Sequence, residues 1–367
     1  MNANEFLILL QKKHNSLQNF QIDYEEFRKV YINVFGSIKN EESFKNNFFL
    51  TMGKNPEIIS DYQNDIYYTY IKESIKPISK LIKYKHPLTF YGNEIELIPI
   101  PTFGTLEMTT HCAFSVAPDN DPLIVISEGL IDLIQEFSTL LAASILYGMH
   151  DESIQENIIR HYIDFIICII FYNNKLAANL WLLENEVDEN FMPLKDELFK
   201  TALLFVFAHE YSHLVLGHIG KSKTITINDI NVDIKNFSWK QEFDADLLGT
   251  RIALSNRPLT KLTGIFLALE SLQLSSIYVM HDTKTHPALI KRLSSIREYV
   301  QKNGYDPISC YMFEMLVEPM SIQVKLFIKY INENNMHFGN DNLLKIQKLI
   351  YNDFPIIPQK SMFSNDK

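Results

Sequence analysis

The stretch from Leu203 to Leu216 constrains this chain more than any other. Residues 203–208 are apolar throughout, Leu214-Val-Leu216 is apolar again, and between them stand His209, Glu210 and His213. A nearly continuous apolar run of this length predicts a helix buried on most sides. A glutamate and two histidines are costly to bury there without a partner charge. His209 and His213 are spaced i, i+4, so both imidazoles stand on one helix face, one turn apart. That spacing lets them grip one metal ion, with Glu210 in reach of the metal's water as general base. The bare pattern would arise by chance in roughly one or two per hundred chains of this composition, so its apolar setting is what sharpens it. The competing reading is a pair of core histidines satisfied by ordinary hydrogen bonds.

A third ligand has to come from elsewhere. The extended pattern HExxHxxGxxH fails, because Leu216 and Ile219 stand at its Gly and His positions. His218 lies five residues beyond His213, off the ligand face, and reads as structural or as a hydrogen-bond donor behind a ligand. The better source is Gln241-Glu242-Phe-Asp244-Ala-Asp246-Leu-Leu-Gly249. Glu242 and Asp246 again form an i, i+4 pair. Glu242 would complete the two-histidine, one-glutamate set of a catalytic Zn2+ site, one ion per chain, with the fourth position left for water. Asp246, one turn on, can accept the second ring N–H of a ligand histidine and fix its tautomer. Asp244 points elsewhere and reads as a surface charge. The alternative for this segment is a solvated acidic helix start, which the helix dipole favours.

Composition narrows the function classes. The net charge is −10, so the chain gains no counterion-release energy from phosphates, and nucleic acid is excluded as a default partner. Three cysteines, widely spaced, imply a reducing compartment and no thiolate metal site. No secretory signal is legible at the N-terminus. The strongest apolar stretch, Phe165 to Tyr172, falls well short of the ~20 residues of a membrane span. The expectation is a soluble, cytoplasmic protein without a membrane span.

Twelve glycines in 367 residues lean toward a helix-rich fold. Residues 1–87 read as an N-terminal helical region. Leu88 to Pro99 reads as a hairpin turning at Tyr91-Gly92-Asn93, Met108–Ala117 as a strand, and Leu123–Ile126 as a strand followed by a helix capped by Ser127. Further helices are expected at about 194–218, 240–255 and 259–280. Another should open at Thr285-His286-Pro287 and end at Gly304. The organisation expected is a core over 88–304, with a helical insertion at about 138–192, and a C-terminal helical extension over 305–367. The fold class is α+β, predominantly helical, with a small antiparallel or mixed sheet.

Taken in order, these motifs resemble the gluzincin metallopeptidases of the HtpX and CAAX-prenyl-protease type. The residues that carry the resemblance are His209-Glu210-Tyr-Ser-His213 with His218, Glu242-Phe-Asp-Ala-Asp246, and Thr285-His286-Pro287 with Arg292. Upstream, His111-Cys-Ala-Phe-Ser-Val-Ala117 resembles the family's Asn-Ala-Phe strand, and Leu123 to Leu130 its hydrophobic strand followed by Gly-Leu. The likeness spans about 105–300. It implies a zincin-like core around an active-site helix. It also implies a histidine beside the zinc, here His286, supported by Arg292, that stabilises the oxyanion or occupies the open position in a latent state. The other reading of His286 is a helix N-cap before Pro287. Many relatives of this type carry membrane helices between the HExxH helix and the third ligand. Here residues 224–239 are polar, which implies a soluble variant.

The expected activity is zinc-dependent endopeptidase action. An extended protein or peptide substrate would add to a strand edge formed by Cys112, Ala113, Phe114 and Ser115. Glu210 would take the proton of the attacking water and pass it to the leaving amine. Three rivals remain: a non-proteolytic zinc-bound regulatory protein, a latent defence or toxin-type protease cutting one host protein, and a repressor-cleaving regulatory peptidase. The helical flanks offer surface for a regulatory partner.

Overall fold

A computed structural model of the chain describes residues 2–14, 24–35, 37–38, 40–42, 44–45, 66–85, 88–106, 113–116, 121–148, 151–172, 185, 187–218, 221–227, 230–256, 260–274, 287–304, 322–334 and 343–356. In chain order the elements are α1 (Ala3–His14), α2 (Tyr24–Phe35), α3 (Ile66–Ser74), α4 (Lys76–Lys83), β1 (Leu88–Phe90), β2 (Asn93–Ile95), β3 (Thr102–Leu106), β4 (Ala113–Val116) and β5 (Leu123–Ser127). There follow α5 (Glu128–Ala143), α6 (Glu152–Tyr172), α7 (Phe191–Val215), β6 (Lys221–Ile227), β7 (Ile230–Asn236), α8 (Trp239–Ala253), α9 (Thr260–Leu274) and α10 (Leu289–Lys302). A helix over 322–333 is α11, and α12 is Leu343–Lys348. The class is α+β, mostly helical with small sheets.

The chain forms two compact units that interleave along the sequence: residues 1–18, 57–134 and 197–310, and residues 19–56, 135–196 and 311–367. α1 belongs with the sheet because it supplies one side of its core.

In the first unit β5 is the central strand. β3 runs parallel to it, with Thr102 opposite Leu123 and Leu106 opposite Ser127. β4 runs antiparallel on the other side, with Ala113 opposite Ile126 and Val116 opposite Leu123. Side chains alternate between faces along each strand. Phe114 and Val116 of β4, Leu123 and Val125 of β5 and Leu106 of β3 turn to one face. There they form a core with Ala3, Phe6, Leu7 and Leu10 of α1. α1 can lie this close because β3 carries Gly104 where it crosses; a Cβ there would stand 2.4 Å from Leu7 Cδ2. Its start is fixed by a reciprocal cap, the Asn2 side chain accepting from the Glu5 amide and Glu5 from the Asn2 amide, and Asp121 accepts from the Ala3 amide.

The opposite face of the sheet meets α7. The ring of Phe103 sits edge-on to Phe207 and stacks on Tyr68 of α3. Tyr211, fully buried on α7, donates to the Ile98 carbonyl in the segment leading into β3. Every residue of β5 is buried, as expected for a strand covered on both faces.

The expected hairpin is β1–β2. Its two-residue turn places Tyr91 at φ 50° and Gly92 at φ 80°, the paired left-handed geometry of a tight hairpin turn. Ser127 accepts from the Leu130 amide at the start of α5, as a cap should. Three strands escaped the sequence reading. β3 did, and so did the β6–β7 hairpin, which fills part of the stretch read as a polar connection. The alternation of Ile225 and Ile227 with Thr224 and Thr226 was its signal.

The second unit is built on α6, whose Ile158, Tyr162, Ile163, Phe165 and Ile166 are buried. Phe137 packs on Tyr162, and Phe327 and Tyr330 of α11 on Phe354. Arg160 donates to the carbonyls of Ile350 and Phe354, and Gln347 to the buried Asp164. Among the described residues one helical stretch, Glu128–Gly148, has the length and apolar character of a membrane span. It is mostly buried inside the fold.

Candidate metal centre

The site is assembled by two helices held unusually close. α8 begins with a reciprocal cap: the Ser238 side chain accepts from the Gln241 amide, and Gln241 accepts from the Ser238 amide at 2.9 Å. This fixes the helix start, so Glu242, Asp246 and Gly249 fall on one face, at offsets of four and three residues. That face meets α7. A Cβ on Gly249 would stand 3.2 Å from the backbone nitrogen of His209 and 3.3 Å from its Cα. A glycine here lets the α8 backbone come near enough for Glu242 to reach both histidines.

His209, His213 and Glu242 are all buried, and one donor atom from each lies within 4.8 Å of the others. The two Nε2 atoms are 3.3 Å apart. Glu242 Oε2 is 3.5 Å from His209 Nε2, and Oε1 is 3.8 Å from His213 Nε2. A tetrahedral ion with ligands at about 2.0–2.2 Å separates its donors by ~3.3–3.6 Å. The two imidazole nitrogens already stand at that spacing, and Glu242 brings one oxygen near it from each ring.

The surrounding charges favour the same occupant. Asp246 is fully buried, and Arg292 of α10 forks onto it, Nε to Oδ2 at 2.7 Å and Nη2 to Oδ1 at 2.6 Å. Asp246 Oδ1 also lies 2.9 Å from Nδ1 of His209, near enough to hold that ring although off the line of a straight hydrogen bond. Burial alone would raise the Asp246 carboxyl, but Arg292 and then His209 bring it down to about 2. For His209, burial pulls downward, and the carboxylates of Asp246 and Glu242 overcome it, lifting the imidazole to about 10. The field that holds a proton on that ring would equally hold a cation. Among Glu210, Glu242, Asp246 and Arg292 there are three carboxylates and one guanidinium, leaving two negative charges for a divalent ion to offset.

Glu210 follows His209 and is buried, which pushes its carboxyl above the ordinary value. His209, the Ser115 hydroxyl that donates to it, and Arg292 act the other way, and Glu242 adds to the rise. Ser115 is placed for this by strand alternation. Its neighbours Phe114 and Val116 face α1, so Ala113 and Ser115 face α7. β4 is an edge strand of the three-stranded sheet, hydrogen-bonded to β5.

His218 is brought back to His213 by the end of α7. Gly217, at φ 59°, is the left-handed residue after the helix. The His218 amide donates to the His213 carbonyl and the Gly217 amide to the Leu214 carbonyl. These are the two hydrogen bonds of a Schellman turn. The turn folds the His218 ring over the last helical turn, and its Nδ1 lies 2.9 Å from Nδ1 of His213. Phe237 stacks flat on the other ring, 3.7 Å from the His213 centroid.

The structure thus brings together His209, Glu210, His213, Glu242, Asp246, Arg292 and Ser115, with Ala113 and Phe114 on the same strand. Cys112 and His286 lie outside the described residues. Arg292, expected behind His286, pairs with Asp246. α10 starts at Leu289 with Ala288 as its N-cap and no side-chain hydrogen bond capping it, so Pro287 lies ahead of the first helical turn. Asp244 accepts from the Tyr91 hydroxyl at 3.0 Å, tying the hairpin tip to α8. Sequence reasoning missed Phe237, the turn at Gly217, and Ser115 as a neighbour of Glu210. The αL-prone glycine before His218 was the available signal for the turn.

Residues 174–312 match the model of the Peptidase U49 family. The match covers more than a third of the chain and contains both helices of the centre and Arg292. It supports a peptidase, and hence a hydrolase. No curated protein and no solved structure matches the chain.

Proposed function

We propose that the protein is a zinc-dependent endopeptidase of the gluzincin type, a soluble and cytoplasmic variant resembling the HtpX and CAAX-prenyl-protease group. The observation that carries this reading is the donor triangle of His209, His213 and Glu242, with Glu210 on the adjoining position and a matching peptidase family around it. The residues fit one Zn2+ per chain, and such an ion supplies Lewis-acid polarisation of the scissile carbonyl and of the attacking water.

The chain's own residues do the rest. Glu210 takes a proton from the water as its oxygen bonds to the carbonyl carbon, then delivers that proton to the amine nitrogen as the C–N bond breaks. Burial keeps its carboxyl above the ordinary range, which suits a group that must both accept and return a proton. Asp246 holds the His209 ring and is itself held by Arg292. The edge strand β4 receives the substrate backbone in extended form.

The test is metal analysis of the purified chain, followed by comparison of proteins cut in lysate by wild type and by Glu210→Gln. One zinc per chain is expected in both, with cleavage only in wild type. His209→Ala and Glu242→Ala should each lose zinc. Cleavage by Glu210→Gln within tenfold of wild type, or full occupancy in both ligand variants, would refute the assignment.

A further inference from the structure

We infer that His218 is a positioning residue for the metal centre, fixing His213 as a ligand from behind; this rests on the zinc reading above.

The geometry is specific. Nε2 of His213 faces His209 Nε2 and Glu242, so its Nδ1 points away from the donor triangle. There it meets Nδ1 of His218 at 2.9 Å, a hydrogen-bond distance between two ring nitrogens. One nitrogen must donate and the other accept. A His213 ring that offers the Nε2 lone pair to a metal carries its proton on Nδ1, so His213 donates and His218 accepts. His218 must then be the neutral tautomer with its proton on Nε2. This partnership is unlike that of His209, whose rear nitrogen faces a carboxylate. The two ligands are therefore held by different means, one by a buried anion and one by a neutral acceptor.

Backbone and packing place His218 without help from side-chain spacing. A residue five positions on would project about 140° away along a continued helix. The Schellman turn at Gly217 reverses the chain instead. Phe237, stacked on His213 with the planes 11° apart, closes the ring against sliding. His213 thus has a fixed plane, set by Phe237, and a fixed rotation within it, set by His218. Both are needed to aim Nε2 at one point.

The experiment uses the full chain with Zn2+ alone as probe, its affinity read by competition with a colorimetric chelator at neutral pH. Urea unfolding and far-UV circular dichroism run alongside. His218→Ala should weaken zinc about 10- to 100-fold, the usual effect of removing the partner of a ligand histidine. Helical content should be unchanged. His218→Asn should recover most of that loss, because its Oδ1 replaces Nδ1 as acceptor. With Co2+ in the site, the visible bands should shift in His218→Ala and return in His218→Asn. If His218→Ala binds zinc within twofold of wild type, the inference is wrong while the zinc reading stands. It is equally wrong if Asn fares no better than Ala, or if affinity falls only in step with lost helical signal. If the wild-type chain binds no zinc, the reading beneath it fails instead.

Discussion

Replacing Asp246 by alanine separates what holds this site together from what would hold a metal ion there. The carboxylate sits fully buried between the Arg292 fork and the His209 ring. Its removal leaves a buried guanidinium without its bidentate partner, which costs about 3–5 kcal/mol. Glu242 and Glu210 also lie within electrostatic range of Arg292 and offset part of that. The lower end, about 3 kcal/mol, is therefore expected, a large share of the ~5–15 kcal/mol that holds a typical domain. The double variant Asp246→Leu with Arg292→Met puts apolar side chains where the ions were, and should return close to wild-type stability. Zinc should behave differently. In both variants His209 loses the carboxylate behind its ring, so affinity should fall about 10- to 100-fold in each. Stability is read by urea unfolding through the fluorescence of Trp239, which opens α8 within the same unit, with Trp181→Phe as background. Zinc is read by chelator competition. A loss under about 1 kcal/mol for Asp246→Ala would mean that the ion pair is not a structural element. Recovery of zinc affinity along with stability in the double variant would mean that Asp246 acts on the fold and not on His209.

Three further outcomes follow from the same geometry. Gly249→Ala sets a helix-favouring gain of ~1 kcal/mol against a methyl pressed on the immobile backbone of His209, which costs about 1–3 kcal/mol, so a net loss of stability and weaker zinc binding are expected; an Ala variant with wild-type zinc affinity would show that the helices can part freely. Ser115→Ala removes the hydroxyl that steadies Glu210 and should lower kcat about tenfold, with KM and zinc content unchanged, as kinetics on a cleaved peptide would show; an unchanged kcat refutes it. The Asp246 carboxyl lies below its ordinary 3.8, so its contribution is complete above that pH and disappears as pH falls toward about 2. Acid unfolding should therefore show about 2 kcal/mol of pH-dependent stability across that window that Asp246→Asn lacks, and equal profiles would remove the group from the balance.

The candidate metal-binding group was legible in the sequence because helical periodicity is local. Two i, i+4 pairs, His209 with His213 and Glu242 with Asp246, specify which side chains share a face before any fold is known, and an apolar helix carrying such groups demands a counter-charge. The β1–β2 turn at Tyr91-Gly92 and the cap at Ser127 were legible for the same reason. What the sequence left open depends on contacts between distant segments. Gly249 reads as any small residue until α7 is laid against it. Arg292 read only as support for His286, and it is the placement of α10 that brings it to Asp246; Ser115 looked like substrate-strand backbone until the alternation of β4 turned it toward Glu210. β3 was missed because a five-residue strand containing Gly104 has little signal of its own, and it is α1, nearly a hundred residues earlier, that fits over that glycine. His218 marks the boundary most clearly: five-residue spacing on a helix sends it away from His213, and a left-handed turn at Gly217 brings it back. Periodicity determined which polar side chains share a helix face; packing and chain reversal, which act across sequence separation, decided how each is held.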